Sequence, residues 1–258
     1  MEDLTKSIKV TFNKDYLRFK AGDSYEIPTQ WPLGITYVTG QNGSGKSTLL
    51  RAIRCSNDSL ADINIRDFDG LVDNRLDKMT KLIKAGNVTI ESEIQYTHIF
   101  SIDAQADDPQ NVLLAASAGA FVGGGGFHAS RMSRGEAVLV QFMKFVRRFQ
   151  EARLKATELK QSFRPLVIID EIDEGIDIRF QTLWNELILT KFLAPVICCT
   201  HSPICMLSNC SLPVNVYDMS IKEASSASEY FARLTGVKID MDYTNAKTAQ
   251  EMLNEMRS

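Results

Sequence analysis

The stretch ITYVTGQNGSGKSTLLRAI, Ile35 to Ile53, decides how the chain is read. It runs from a β-branched apolar segment through a glycine-rich turn into good helix formers, and Gly40, Gly45, Lys46 and Ser47 match the spacing GxxxxGK[ST]. That spacing has meaning only between a strand and a helix, which is where it sits here. Glycines let the backbone curl with its N–H groups inward, the helix start adds positive potential, and Lys46 brings a mobile cation to the β- and γ-phosphates of a nucleotide. Asn42, Gly43, Ser44 and Thr48 complete the expected cradle, and the Ser47 hydroxyl is placed to ligate Mg²⁺.

Composition limits what surrounds this turn. With 258 residues, 44% of them hydrophobic and 24% charged, the chain can bury a substantial core. A formal net charge of -3 gives no global attraction to nucleic acid or anionic membrane, though it leaves room for a local basic face. The opening MEDLTKSIKV has no apolar h-region, and no apolar run approaches the roughly 18 residues that span a bilayer. A cytoplasmic protein is the expectation. Cys198, Cys199, Cys205 and Cys210 cluster with His201 in CCTHSPICMLSNC, but the CxxC pairing of zinc sites is missing and adjacent cysteines on a strand point to opposite faces. Buried thiols of a reducing compartment are expected there.

Strands alternate with helices along the rest. SIKVTF, SYEIP, GITYVTG, THIFSI, PLVIID and APVICCT read as strands, the last two as runs covered on both faces of a parallel sheet. Helical patterns cover Lys46 to about Arg54, Ser133 to about Gln161 and Arg179 to about Phe192, and the pattern as a whole means α/β in a single domain over 1–258. The glycine cluster GAFVGGGGFHAS is the one flexible stretch, ending where the longest helix begins. From about Ser220 the chain is polar and helical in pattern, with TNAKTAQEMLNEM as a terminal helix whose Met252, Leu253 and Met256 form a small apolar stripe.

Hydrolysis needs more than a phosphate cradle. In PLVIIDEIDEGID an apolar strand delivers Asp170 at its carboxyl end, where an open sheet puts its ligands, and Glu171 follows directly. Asp170 is expected to hold Mg²⁺ and Glu171 to polarise an attacking water.

Together these motifs resemble the ABC-type ATPases, the class shared by transporter engines and by soluble proteins such as the SMC, RecF and double-strand-break repair ATPases. The resemblance runs from about Ile35 to Pro203. It implies a P-loop NTPase fold with a mostly parallel core sheet, an N-terminal antiparallel β portion, a short helical subdomain at about 106–162 and a helical tail at about 220–258. DEIDEGID looks like Walker B, catalytic glutamate and D-loop, making Asp177 the D-loop aspartate. CCTHSP resembles the switch-histidine segment, making His201 a γ-phosphate sensor. MSRGE, Met132 to Glu136, stands at the signature position with Ser133 and Gly135 kept; Ser133 can cap the long helix, with Glu136 three residues on. In the family this helix end faces the γ-phosphate held by another subunit, which implies ATP and Mg²⁺ as ligands and an ATP-dependent head-to-tail homodimer, or a heterodimer with a related ATPase. Gln105 is the first choice for the Q-loop glutamine, a catalytic and metal-facing position, with Gln110 second. Tyr16 and Tyr25 are candidates for stacking on adenine, although strand aromatics mostly belong to cores.

Three departures from transporter wording, Arg134, Glu136 and Ile172, and the short segment between Gln105 and Ser133 favour a compact soluble ATPase over a transporter subunit. Its partner is then DNA, RNA or another protein, with a membrane partner less favoured. In EAVLVQFMKFVRRFQEARLKATELK, Phe142, Phe145 and Phe149 recur at helical spacing and leave Lys144, Arg147, Arg148 and Lys155 largely elsewhere. That flank is either a phosphate-binding face or a solvated one balanced by acids.

Overall fold

The computed structural model describes residues 5–56, 74–103, 134–171, 176–208, 210–212 and 214–237. Its first sheet is antiparallel, with β1 (Thr5–Phe12) between β2 (Ser24–Gln30) and β4 (Val88–Ser92). The second contains β3 (Gly34–Thr39), β5 (His98–Asp103), β6 (Pro165–Asp170), β7 (Pro195–Cys199), β8 (Val214–Asp218) and β9 (Glu223–Ser226), in the order β5-β6-β7-β3-β8-β9. All its pairings are parallel except the edge pair β8–β9. The helices are α1 (Lys46–Arg54), α2 (Asn74–Lys84), α3 (Arg134–Glu158), α4 (Ile178–Gln181), α5 (Trp184–Phe192), α6 (Pro203–Met206) and α7 (Ala227–Thr235). This is the α/β, mostly parallel architecture with an N-terminal antiparallel sheet that the sequence led us to expect.

Every residue of β3, β6 and β7 is buried, because the parallel sheet is covered on both faces. Strand alternation divides the core accordingly. Val167, Ile169 and Cys198 pack with Phe142, Phe145 and Phe149 of α3 and with Trp184 and Phe192 of α5. Leu166, Ile168 and Cys199 pack on the other side with Leu49 and Ile53 of α1 and with Ile8, Val10 and Ile27 of the antiparallel sheet. Neighbouring Cys198 and Cys199 thus face opposite layers, and no disulfide joins any of the five cysteines. The aromatic stripe of α3 is core, as its spacing predicts, with Phe149 packed edge-on against Phe192 and Phe100. On its outer flank Arg147 is paired with Glu151 at 2.8 Å, the arrangement of a solvated face.

Three expectations shift. The long helix ends at Glu158 rather than near Gln161, because Lys160 turns left-handed at φ 52° and the Gln161 N–H returns to the Ala156 carbonyl. The helix read from Arg179 to Phe192 is two: α4 buries none of its residues, and α5 restarts where Trp184 and Asn185 enter the core. After Ser220 the chain first forms β9, an edge strand too polar to show alternation, before Ser226 and Glu229 cap α7 with a reciprocal box. Residues 244–256, with Met252, Leu253 and Met256, lie outside the described residues.

Candidate functional site

Register assembles the site. Asp103 of β5 pairs with Asp170 of β6, Asp170 pairs with Cys199 of β7, and β7 pairs in turn with β3. The carboxyl ends of four strands therefore meet beside the turn that leaves β3 for α1. A cavity of about 840 Å³ opens there, lined by Asn42, Gly43, Ser44, Gly45, Lys46, Ser47 and Thr48 on one side and by Glu171 and His201 on another.

The turn has the shape that its glycines make possible. Gly45 caps α1 in the left-handed region at φ 93°, and a Cβ there would lie 2.5 Å from the Phe19 ring. Gly40, at φ 147°, would place a Cβ 3.0 Å from Ser44 Oγ. Lys46 is buried, its Nζ donating to the carbonyls of Gly40 at 3.1 Å and Gln41 at 3.3 Å. Ser44 Oγ is buried inside the turn with no hydrogen-bond partner, a polar atom suited to an anion's oxygen.

Asp170 stands opposite. Its Oδ1 accepts from Ser47 Oγ at 3.3 Å, close to the roughly 3 Å edge of an octahedron of Mg²⁺–oxygen bonds. Both donors are hard oxygens, so the pair fits Mg²⁺. Burial and then the neighbouring Asp103 carboxylate push Asp170 up to about 6. Asp103 is itself buried and held by Arg51 of α1 at 3.2 Å. The Cys199 thiol lies within 4.8 Å of the Asp170 and Glu171 carboxylates, but burial raises it well above its ordinary value, and a protonated thiol is no ligand for a hard cation.

Glu171 leaves β6 at φ 52°, a left-handed conformation that costs a non-glycine residue about 1 kcal/mol and that clusters at functional sites. Its N–H is fixed on the Cys199 carbonyl at 3.0 Å, and its Oε1 lies 3.4 Å from Nε2 of His201. Glutamate and histidine, read from separate motifs, thus meet on the cavity wall. Asp177 is exposed, caps α4 and is gripped by Arg179, whose side chain and N–H hold its carboxyl below the usual range. Gly135 is half-buried in the first turn of α3. Ser133, Gln105 and Gln110 lie outside the described residues.

Part of the wall carries no motif. Leu17, Arg18 and Phe19, from the turn between β1 and β2, and Arg75, from the first turn of α2, also line the cavity. The paired Tyr16 and Phe19 backbones close a two-residue turn with Leu17 at φ 53°, which holds Arg18 beside Gly43 and Gly45. Neither proposed adenine-stacking tyrosine lines the cavity: Tyr25 packs edge-on against Phe12 and Phe19, and Tyr16 lies beneath Lys78. Only the tertiary approach of the two sheets brings Arg18 to the loop, and no local pattern marks it.

A family model described as AAA domain matches residues 29–201, from the end of β2 to the histidine on the cavity wall. A nucleotide-free ATP-binding cassette from an ABC transporter is similar at TM-score 0.51 and 12% identity, over 90% of this chain and 96% of that one. The ADP conformation of another ATP-binding cassette of an ABC transporter gives 0.44 and 14%, over 83% and 87%. No curated protein matches the chain. Among the described residues, no helix is long and apolar enough to cross a membrane. The chain belongs to the AAA domain family and has the fold of an ABC-type nucleotide-binding domain.

Proposed function

We propose that this protein is a soluble ABC-class ATPase that binds Mg-ATP and hydrolyses it to ADP and phosphate in a head-to-tail dimer. The observation that supports this reading best is the single cavity into which the glycine turn, Lys46, Ser47, Glu171 and His201 all open, with Asp170 against Ser47. Lys46 exchanges the Gly40 and Gln41 carbonyls for the β- and γ-phosphate oxygens, and the turn's N–H groups hold the rest of the chain of phosphates. Ser47 and Asp170 would hold Mg²⁺, which when bound would neutralise charge on the phosphoryl group. Glu171 orients and polarises the attacking water, and His201, 3.4 Å from it, steadies that carboxylate and senses the γ-phosphate. Ser133 and Gly135 of a second copy complete the site, with Gln105 on the metal side and Asp177 at the junction.

The signature wording with Arg134 and Glu136, and Ile172 after the glutamate, favours the soluble branches over a transporter subunit. The dimer's opening and closing then acts on DNA, RNA or a partner protein; a regulatory, toxin-antitoxin-like subunit is the alternative within that reading. Glu171→Gln should trap ATP and give a stable dimer by light scattering. A variant that stays monomeric at saturating Mg-ATP refutes the shared site, and identification of what co-purifies with it separates membrane subunit, soluble protein and nucleic acid.

A further inference from the structure

Gln181, the last residue of α4, belongs to no motif, yet it joins Ile176, next to Asp177, to Ser202, next to His201 on the cavity wall. Its Nε2 donates to the Ile176 carbonyl at 2.9 Å, one residue before Asp177. Its Oε1 accepts from Ser202 Oγ at 2.6 Å, one residue after His201, and lies 3.9 Å from Cys205 Sγ. Ser202 is itself fixed: its N–H is held by Thr200 Oγ1 at 2.8 Å, and its hydroxyl caps α6 by accepting from the Cys205 N–H. One half-buried amide therefore uses its donor on the Asp177 loop and its acceptor on the His201 turn. A carboxylate would lose the donor, and an apolar side chain would lose both.

We propose that Gln181 is a positioning residue that locks the Asp177 loop to the His201 turn, so that the two move as one body and present His201 to Glu171. This rests on the ATPase reading for its consequence, but its geometry stands on the contacts alone. If Asp177 meets a second copy, displacement of its loop reaches His201 through one side chain, which makes the clamp the link between pairing and the chemistry.

Amide hydrogen exchange on the full-length chain tests the clamp without turnover. Gln181→Met should speed exchange about five- to tenfold both at residues 179–182 and at 205–208, the loss expected for one or two hydrogen bonds, while residues 46–54 keep their protection. Ser202→Ala should loosen 179–182 across the gap, and Ser202→Thr, which keeps the hydroxyl, should not. A side chain that merely packs would loosen its own helix alone. If Gln181→Met leaves 205–208 unchanged, or Ser202→Ala leaves 179–182 unchanged, the clamp is wrong. In turnover, Gln181→Met should lower kcat tenfold or more with KM for ATP within about twofold, since the phosphate turn is untouched. A variant with loosened loops and normal kcat overturns the positioning role. A wild-type protein that hydrolyses no ATP but shows the predicted exchange refutes the ATPase reading and leaves the clamp intact.

Discussion

Replacing Asp170 by asparagine should make the protein more stable while removing the carboxylate proposed to hold Mg²⁺. The carboxyl is buried at the end of β6, beside Asp103, and its pKa rises from the ordinary 3.8 to about 6. At about 1.4 kcal/mol per tenfold change, that rise corresponds to about 3 kcal/mol of destabilisation when the group is ionised. The sign follows from proton binding. Between pH 3.8 and about 6 the folded chain holds a proton that the unfolded chain has released, so this group's contribution to stability is fully favourable below the lower value. It is lost as pH rises to the upper one. Asparagine keeps the shape and can still accept from Ser47, without the charge. The variant should therefore melt higher than wild type by roughly 6–12 °C at pH 7.5 in EDTA, and the gap should close as pH falls toward about 4. Asp15, Asp23, Asp177 and Glu229 have lowered values and act in the opposite direction, but they are common to both proteins and cancel in the difference. Adding Mg-ATP should raise the melting temperature of wild type by more than that of the variant, which keeps the phosphate turn but loses a metal-binding carboxylate. A variant no more stable than wild type at pH 7.5, or a gap that does not shrink on acidification, refutes the account of a buried, crowded carboxylate.

Other changes probe the same site from different sides. Lys46→Ala should abolish measurable binding of a fluorescent ATP analogue, with the melting temperature of the protein alone shifted by only a few degrees. Gly45→Ala should cost roughly 2–4 kcal/mol by urea unfolding, from its left-handed φ of 93° and the 2.5 Å approach to the Phe19 ring. Arg51→Met should cost about 3 kcal/mol by leaving Asp103 buried without its guanidinium, and adding Asp103→Asn should recover most of that loss. Glu171→Gln should lower kcat at least a hundredfold while ATP binding, followed by the same analogue, stays within a few fold.

How much of this is legible in the sequence depends on where each feature's cause lies. The turn from Gly40 to Ser47 could be read residue by residue, because its conformation is set locally by glycines between a β-branched strand and a helix. Asp170 and Glu171 can be read by the same logic, as an apolar run ending in acids. Asp103 was invisible: its importance comes from sharing a register position with Asp170, a partner 67 residues away in sequence. Arg18 was hidden likewise, since only the packing of one sheet beside the other carries it to the glycine turn. Gln181 looked like an ordinary helical residue, and the break after α4 that frees it could not be seen in a periodicity that ran on to Phe192. Patterns with short-range causes survive translation into one dimension, whereas contacts made by tertiary approach leave no mark.

The groups assigned to nucleotide already hold partners within the chain: Lys46 on two loop carbonyls, Ser47 on Asp170, Glu171 beside His201, and Asp177 on Arg179. On the proposed reading, binding a triphosphate would be an exchange of hydrogen bonds and not a gain of new ones, so each contact would contribute nearer 1 kcal/mol than the roughly 4–6 of an isolated bond. The same exchange gives the site its direction. Ser47 and Asp170 can receive Mg²⁺ while keeping their places, because both offer oxygens at the spacing of a coordination edge. Asp177 differs, since a partner that takes over its carboxylate would displace the exposed Arg179 guanidinium. That pair lies at the surface, where an ion pair contributes little, so the release is easily offset by a new partner. Cheap exchange at the rim and tight geometry at the floor are what a site needs if a second protein is to finish it.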